Sequence, residues 1–229
     1  MAIAENISQT KQDIAKLEQH YQRAAGSVKL LAVSKTKPVS AIEEAYAQGQ
    51  RLFGENYVQE AADKSEQLAH LSDIEWHFIG PIQSNKSRIV AQSMDWVHTL
   101  DRAKIALRLN EQRPAELAPL NVCIQINISG EASKSGISLA DLDEIVEIVS
   151  KQPNLILRGL MAIPAPQVSL EEQLATYQPL YQAYQALAER IASVDTLSIG
   201  MSGDMEAAIA SGSSMVRIGT AIFGARNYA

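Results

Sequence analysis

What is missing narrows this sequence before any motif is read. Its 229 residues hold a single cysteine, Cys123, which excludes an internal disulfide and a cysteine-based metal site. That residue sits inside the apolar run NVCIQINI, where a small buried side chain fits better than a reactive thiol. No stretch of 18 uncharged apolar residues occurs, so no membrane-spanning helix is expected. The opening MAIAENISQTKQD lacks the basic start and apolar centre of a secretory signal, and a cytoplasmic location is expected. Asn6 and Asn127 begin Asn-x-Ser triplets, which carry no meaning without secretion. There is no long basic block and the net charge is −6, so nucleic acid is a poor partner. A glycine-rich dinucleotide fingerprint is absent too.

What is present is apolar material in short pieces. Hydrophobic residues make up 46% of the chain, enough for a full core, and the 8 prolines and 12 glycines are scattered rather than pooled in a linker. One domain covering residues 1–229 is therefore expected. Eight apolar runs recur, at 28–34, 51–54, 76–81, 96–100, 122–128, 155–163, 197–201 and 215–223, with helical patterns between them. Leu142, Ile145, Val146 and Val149, for example, mark one helix face, with Ser138 and Asp141 as a start signal. This alternation predicts an α/β fold with a parallel sheet, and eight even units predict a closed (β/α)8 TIM barrel over an open doubly wound sheet. A further helix, with Ile7, Ile14 and Leu17 on one side, is expected ahead of the first strand.

Barrels carry their chemistry where strands end and the next loops begin. The residues expected at those edges are rich in hydrogen-bonding groups and poor in paired carboxylates, which removes the usual couple of a glycoside hydrolase. Lys35 directly follows the apolar LLAVS. An ammonium is costly to desolvate, so Lys35 either snorkels to the barrel mouth or is used there. An imine-forming role would need its pKa lowered from about 10.4 to about 7.5, a load of roughly 4 kcal/mol, through burial and a nearby cation such as Lys37. Pro38 fits the first turn of the following helix. Glu55 and Asn56 form either a helix start or a ligand-contacting pair. His77 reads as a hydrogen-bonded core histidine with no metal-ligating partners set beside it. Ser202, in SIGMSGDMEAAI, reads as a helix N-cap, and helix starts attract phosphate. Gly219 and Thr220 follow the last strand, and the loops after strands seven and eight are where barrels commonly take phosphate. Arg217 alternates with Val216 and Ile218; if those two pack outward it points into the barrel, towards an ion-pair partner such as Glu55 or towards a ligand. A serine hydrolase built on Ser202 is excluded because Asp204 stands where the nucleophile elbow needs glycine.

Seven stretches carry a resemblance over nearly the whole length: LLAVSKTKP, FGENYVQE, WHFIGPIQSNKSR, NISGEASKSG, RGLMAIP, LSIGMSGDMEAAI and MVRIGTAIFGAR, in that order. Together they resemble the pyridoxal phosphate homeostasis protein family, and most closely its gammaproteobacterial members. The resemblance implies a barrel of the alanine racemase N-terminal domain type that holds pyridoxal 5'-phosphate (PLP). It implies that Lys35 carries the cofactor as an internal aldimine, that Ser202, Gly219 and Thr220 cradle the phosphate, and that Arg217 faces the pyridine nitrogen. Asn56 is implied as a cofactor contact, Met201 and His77 as lining residues, and Lys134 as part of a flexible loop concerned with cofactor release. Some relatives carry a lysine-containing tail after FGAR; with Asn227, Tyr228 and Ala229 last in this sequence, no tail-lysine role is expected. The implied role is vitamin B6 homeostasis by a monomer that passes PLP to PLP-dependent apoenzymes, with indirect effects on amino-acid and keto-acid metabolism.

A PLP-dependent racemase or decarboxylase is the enzyme alternative. Racemases work both faces of the cofactor with a second acid or base, and lacking a placed acid or base costs a factor of about 10² to 10⁴. Arginine at the pyridine nitrogen also stays protonated and donates to a neutral ring, which weakens the ring as an electron sink. A binding protein rather than an enzyme is the expectation.

Overall fold

Eight parallel strands close into a barrel in the computed structural model, which describes residues 2–132 and 134–225. In chain order they are β1 (Lys29–Val33), β2 (Leu52–Glu55), β3 (Glu75–Phe78), β4 (Trp96–Leu100), β5 (Leu120–Ile126), β6 (Leu155–Ala162), β7 (Thr196–Ser198) and β8 (Met215–Ile218). Each pairs with its successor, and β8 returns to β1 with Arg217 opposite Leu31 and Ile218 opposite Ala32. Parallel neighbours need a crossover between them. Helices supply it: α2 (Val39–Ala47), α3 (Val58–Gln67), α4 (Ser87–Ser93), α5 (Ala103–Gln112), α6 (Leu142–Ser150), α7 (Leu170–Arg190) and α8 (Met205–Ala210). The (β/α)8 expectation is met. So is the extra helix, α1 (Ile3–His20), which packs on α2, α8 and the short α9 (Thr220–Phe223).

The strand period of two sorts the side chains into two cores. Leu30, Ala32, Phe53, Phe78, Val122, Val216 and Ile218 face outward and bury themselves under helix residues such as Ile42, Ile105, Leu109 and Leu180. At about 1.5–3 kcal/mol for each fully buried large side chain, this layer is the main favourable contribution to folding. The inward positions are mixed. Leu31, Val33, Ile79 and Met215 form one apolar cluster inside the barrel, and Trp96, Cys123 and Met161 form another. The remaining inward side chains include His77, His98, Ser198 and Arg217, all buried.

Helix α6 buries Leu142, Ile145, Val146 and Val149, the face expected from periodicity. Its start differs from expectation. Ser138 donates to the Asp141 carboxylate instead of capping, a single 3₁₀ turn follows, and the helix begins at Leu142. The run expected as a strand over 215–223 is also divided, because β8 stops at Ile218 and α9 begins at Thr220. Cys123 is buried, and desolvation pushes its thiol up to about 12. Among the described residues no helix is long and apolar enough to cross a membrane.

Candidate functional site

Lys35 occupies a tight turn just past β1. The Lys37 N–H donates to the Ser34 carbonyl at 3.1 Å, closing a turn with Lys35 and Thr36 at its corner. Thr36 lies in the left-handed region at φ +64°, an unfavourable place for a β-branched residue. The contacts beneath hold it there. The Thr36 N–H donates to Glu60 at 2.6 Å, and Lys64 donates to the same Glu60 oxygen, to Glu55 and to the Ser34 carbonyl at 2.7–2.8 Å. Glu55 therefore faces α3, bonded to Lys64 and Ser34, and is not the ion-pair partner considered for Arg217. Period two explains why: Gly54 faces inward, so Glu55 faces out. Lys37 donates to the Ala225 carbonyl at 2.8 Å, and Pro38 stands one position before the first residue of α2.

Arg217 points into the barrel, since Val216 and Ile218 pack outward. Its guanidinium donates to the Ser198 carbonyl at 2.6 Å, the Ser198 hydroxyl at 2.8 Å and the Ala162 carbonyl at 3.0 Å. Burial lowers its pKa, yet arginine stays cationic at neutral pH. Beneath it the polar contacts continue. His98 Nδ1 lies 2.8 Å from Ser198 Oγ, His77 Nδ1 lies 2.8 Å from His98 Nε2, and His77 Nε2 lies 3.1 Å from Glu75. His77, stacked on Trp96 and bonded through both ring nitrogens, is therefore a hydrogen-bonded, fully buried core histidine, as its own residue reading expected. Glu75, His98 and Ser198 are not among the residues that the sequence singles out. The available signal was the parity that puts a polar residue inward within β4 and β7.

The β7–α8 loop presents Met201, Ser202 and Gly203 at the surface. Ser202 is not the N-cap: that position falls to Asp204, whose carboxylate accepts the Met201 N–H at 2.7 Å and the Tyr177 hydroxyl from α7. Tyr177 thus pins the loop from behind, and burial and Asp204 together push its own pKa up. Gly219 and Thr220 follow β8 at the same rim, where a side chain on Gly219 would meet the Val33 carbonyl oxygen at 3.2 Å. Asn56, past β2, has its Oδ1 buried without a partner among the described residues. Its carbonyl is met so closely by Gly80 that a Cβ there would sit 2.0 Å away. Because β7, β8, β1 and β2 are consecutive in the ring, Ser202, Arg217, Gly219, Lys35 and Asn56 share one arc of the barrel. Lys134 lies after β5, across the ring, paired with Glu131 at 3.3 Å in a loop that Asn127 ties by two carbonyl contacts. Residues 226–229, the tail, lie outside the described residues. No group of three His, Cys, Asp or Glu able to hold a metal is found among the described residues.

An amine on a fixed turn, a buried guanidinium and two exposed loops form a donor set suited to an anionic ligand with an electrophilic carbon. Comparison with known proteins sharpens this. The family model for the alanine racemase N-terminal domain matches residues 6–227. The pyridoxal phosphate homeostasis protein of Vibrio alginolyticus is 60% identical, over 99% of each chain, and that of Escherichia coli strain K12 is 58% identical, over 99% of this chain and 97% of its own. Among solved structures, PipY of Synechococcus elongatus PCC7942, described with PLP bound, superposes with TM-score 0.83 at 34% identity, covering 97% of this chain and all of PipY. An alanine racemase of Corynebacterium glutamicum shares the fold at TM-score 0.68 and 17% identity, over 98% of this chain and 63% of the racemase. This chain belongs to the pyridoxal phosphate homeostasis protein family, built on the barrel of the alanine racemase N-terminal domain.

Proposed function

We propose that this chain binds PLP reversibly at the barrel mouth and serves vitamin B6 homeostasis as a cytoplasmic monomer that passes the cofactor to apoenzymes. The observation that carries the reading is the arc of the rim on which Lys35, Asn56, Arg217 and the Ser202 and Gly219–Thr220 loops stand together. These residues fit the group. The orphaned Asn56 Oδ1 offers an acceptor, the loops expose backbone to a phosphate, and Arg217 offers a cation held from three sides. When bound, PLP supplies an aldehyde carbon that a neutral primary amine attacks. Lys35 supplies that amine from a turn that Glu60 and Lys64 keep in place. Asp204 and Tyr177 hold the Ser202 loop in shape, so Ser202 and Gly203 contribute from a prepared conformation. Arg217 cannot give up its proton at neutral pH, so it orients a neutral ring nitrogen and supports holding the cofactor more than turnover. The curated relatives quoted above are named as homeostasis proteins, which supports the same choice.

The test is titration of the full chain with PLP. A visible absorbance band that borohydride bleaches is expected, and Lys35→Ala should abolish it and weaken binding by at least about tenfold. An unchanged band and affinity in Lys35→Ala would remove the assignment. Turnover of any amino acid during prolonged incubation with the loaded protein would favour the racemase or decarboxylase reading instead. Sedimentation of the loaded and empty protein checks the monomer, and activation of a PLP-depleted apoenzyme by the loaded protein, faster than by free PLP, checks delivery.

A further inference from the structure

One set of polar groups runs head to tail through the barrel interior. Glu75 opens β3 with its side chain 39% exposed, whereas His77, His98, Ser198 and Arg217 are buried. The directions of its hydrogen bonds follow from elementary donor counts. A carboxylate only accepts, so the His77 Nε2 that stands 3.1 Å from Glu75 carries the proton, and His77 Nδ1 carries the lone pair. His98 Nε2, 2.8 Å from that lone pair, must then donate, which leaves His98 Nδ1 to accept from the Ser198 hydroxyl at 2.8 Å. With its proton committed to His98, Ser198 Oγ turns a lone pair to Arg217 Nη1, also at 2.8 Å. The reverse polarity would set a histidine lone pair against the Glu75 carboxylate.

The charge states agree with this count. Burial holds His98 well below its ordinary value, helped by His77 and Arg217, and burial lowers His77 against the raising effect of Glu75 and Asp95. Both rings are neutral at neutral pH. Glu75 is held ionised, chiefly by the bond from His77, with Lys29 and Trp96 adding to it. An anion at one rim and a cation near the other are thus joined by three neutral groups whose protons all point the same way.

We propose that Glu75 is a positioning residue for Arg217: acting through His77, His98 and Ser198, it selects the Nε2–H tautomer of both imidazoles and so keeps Ser198 Oγ an acceptor for the guanidinium. The consequence for a ligand rests on the function proposed above. Arg217 meets the cofactor ring in an orientation set from the far side of the barrel, by a residue that touches no ligand.

The experiment uses the full chain, labelled with ¹⁵N and free of ligand, followed by PLP titration. Ring ¹⁵N–¹H correlations should show Nε2–H for both His77 and His98, and hindered rotation should resolve the Nη signals of Arg217. In Glu75→Met both rings become tautomer mixtures, the Arg217 signals broaden, and PLP affinity falls by about fivefold. Glu75→Gln, whose side-chain oxygen still accepts from His77, retains wild-type spectra and affinity. Ser198→Ala breaks the far end, disturbing Arg217 while His77 keeps its Nε2–H form. The proposal is overturned if either wild-type ring carries its proton on Nδ1, a result that needs no variant to fold. It is equally overturned if Glu75→Met alters the rings but leaves the Arg217 signals and PLP affinity unchanged. A wild-type protein that takes up no PLP would overturn the proposed function alone, because the ring and guanidinium signals would still decide the relay.

Discussion

At the scale of single residues, Lys64 holds the turn that presents Lys35. Its ammonium has three N–H donors, and all three are used, on Ser34, Glu55 and Glu60. Glu55 is fully buried beside it, where burial pushes the carboxyl up while Lys64 and Ser34 draw it down. Lys64→Met strands that carboxylate in the interior and should destabilise the fold by about 3–5 kcal/mol in urea unfolding. The double variant Glu55→Met/Lys64→Met should recover most of the loss, since an apolar pair leaves no buried charge unpaired. Additive losses in the double variant would refute this account. Lys35 was legible in the sequence because it ends an apolar run. Lys64 was not, because a lysine in ADKSEQ looks like any solvated helix residue, and only the fold turns it under the β1 turn. The same limit explains Glu55: the run RLFGEN gives the alternation, but not which face looks inward.

Among the elements, the strand-to-helix junctions of β7–α8 and β8–α9 shape the rim. The eight strands were legible because each is a short apolar run between helical patterns. Their ends were not. Apart from Arg217 and Thr220, MVRIGTAIFG has no polar side chain, and a short, largely apolar run does not separate a strand from a helical turn. The helix is realised because Ile222 buries itself and its carbonyl accepts from Asn6 on α1 at 2.8 Å, a contact 216 residues apart in sequence. Gly200 is the hinge of the other junction. It sits at φ +104°, its carbonyl accepts the Arg217 N–H at 2.9 Å, and a Cβ there would lie 2.6 Å from Ala208 Cβ. Gly200→Ala should therefore displace α8 from the barrel and cost about 2–3 kcal/mol of stability, with a matching loss of PLP affinity. Adding Ala208→Gly relieves the contact but not the dihedral, so thermal unfolding of the pair should recover only part of the loss. Full recovery would place the whole cost in the contact and none in the backbone.

For the whole molecule, the polar thread inside the barrel ties stability to pH. His77 and His98 have native pKa values below their ordinary 6.5, so in acid the unfolded chain takes up protons that the native one refuses. Above about pH 7 both states are neutral there and the two rings contribute no slope. As pH falls below about 6.5, stability falls with it, by up to about 1.4 kcal/mol per pH unit for each ring, until the native pKa is reached. Glu55 and Asp95 act in the opposite sense, since burial raises their native pKa values and the folded state binds their protons first. A difference measurement removes them. Unfolding free energies of wild type and His98→Gln, compared between about pH 7.5 and pH 5.5, should diverge as pH falls, with the wild type losing more by about 1 kcal/mol per pH unit. Glutamine has no proton to gain in this range, and its amide can still bond to Ser198 and His77. Parallel curves would mean that His98 takes up its proton in the native barrel. A charged ring would then have to be accommodated beside Arg217, and the closed interior that the strand alternation builds would have to admit water at low pH.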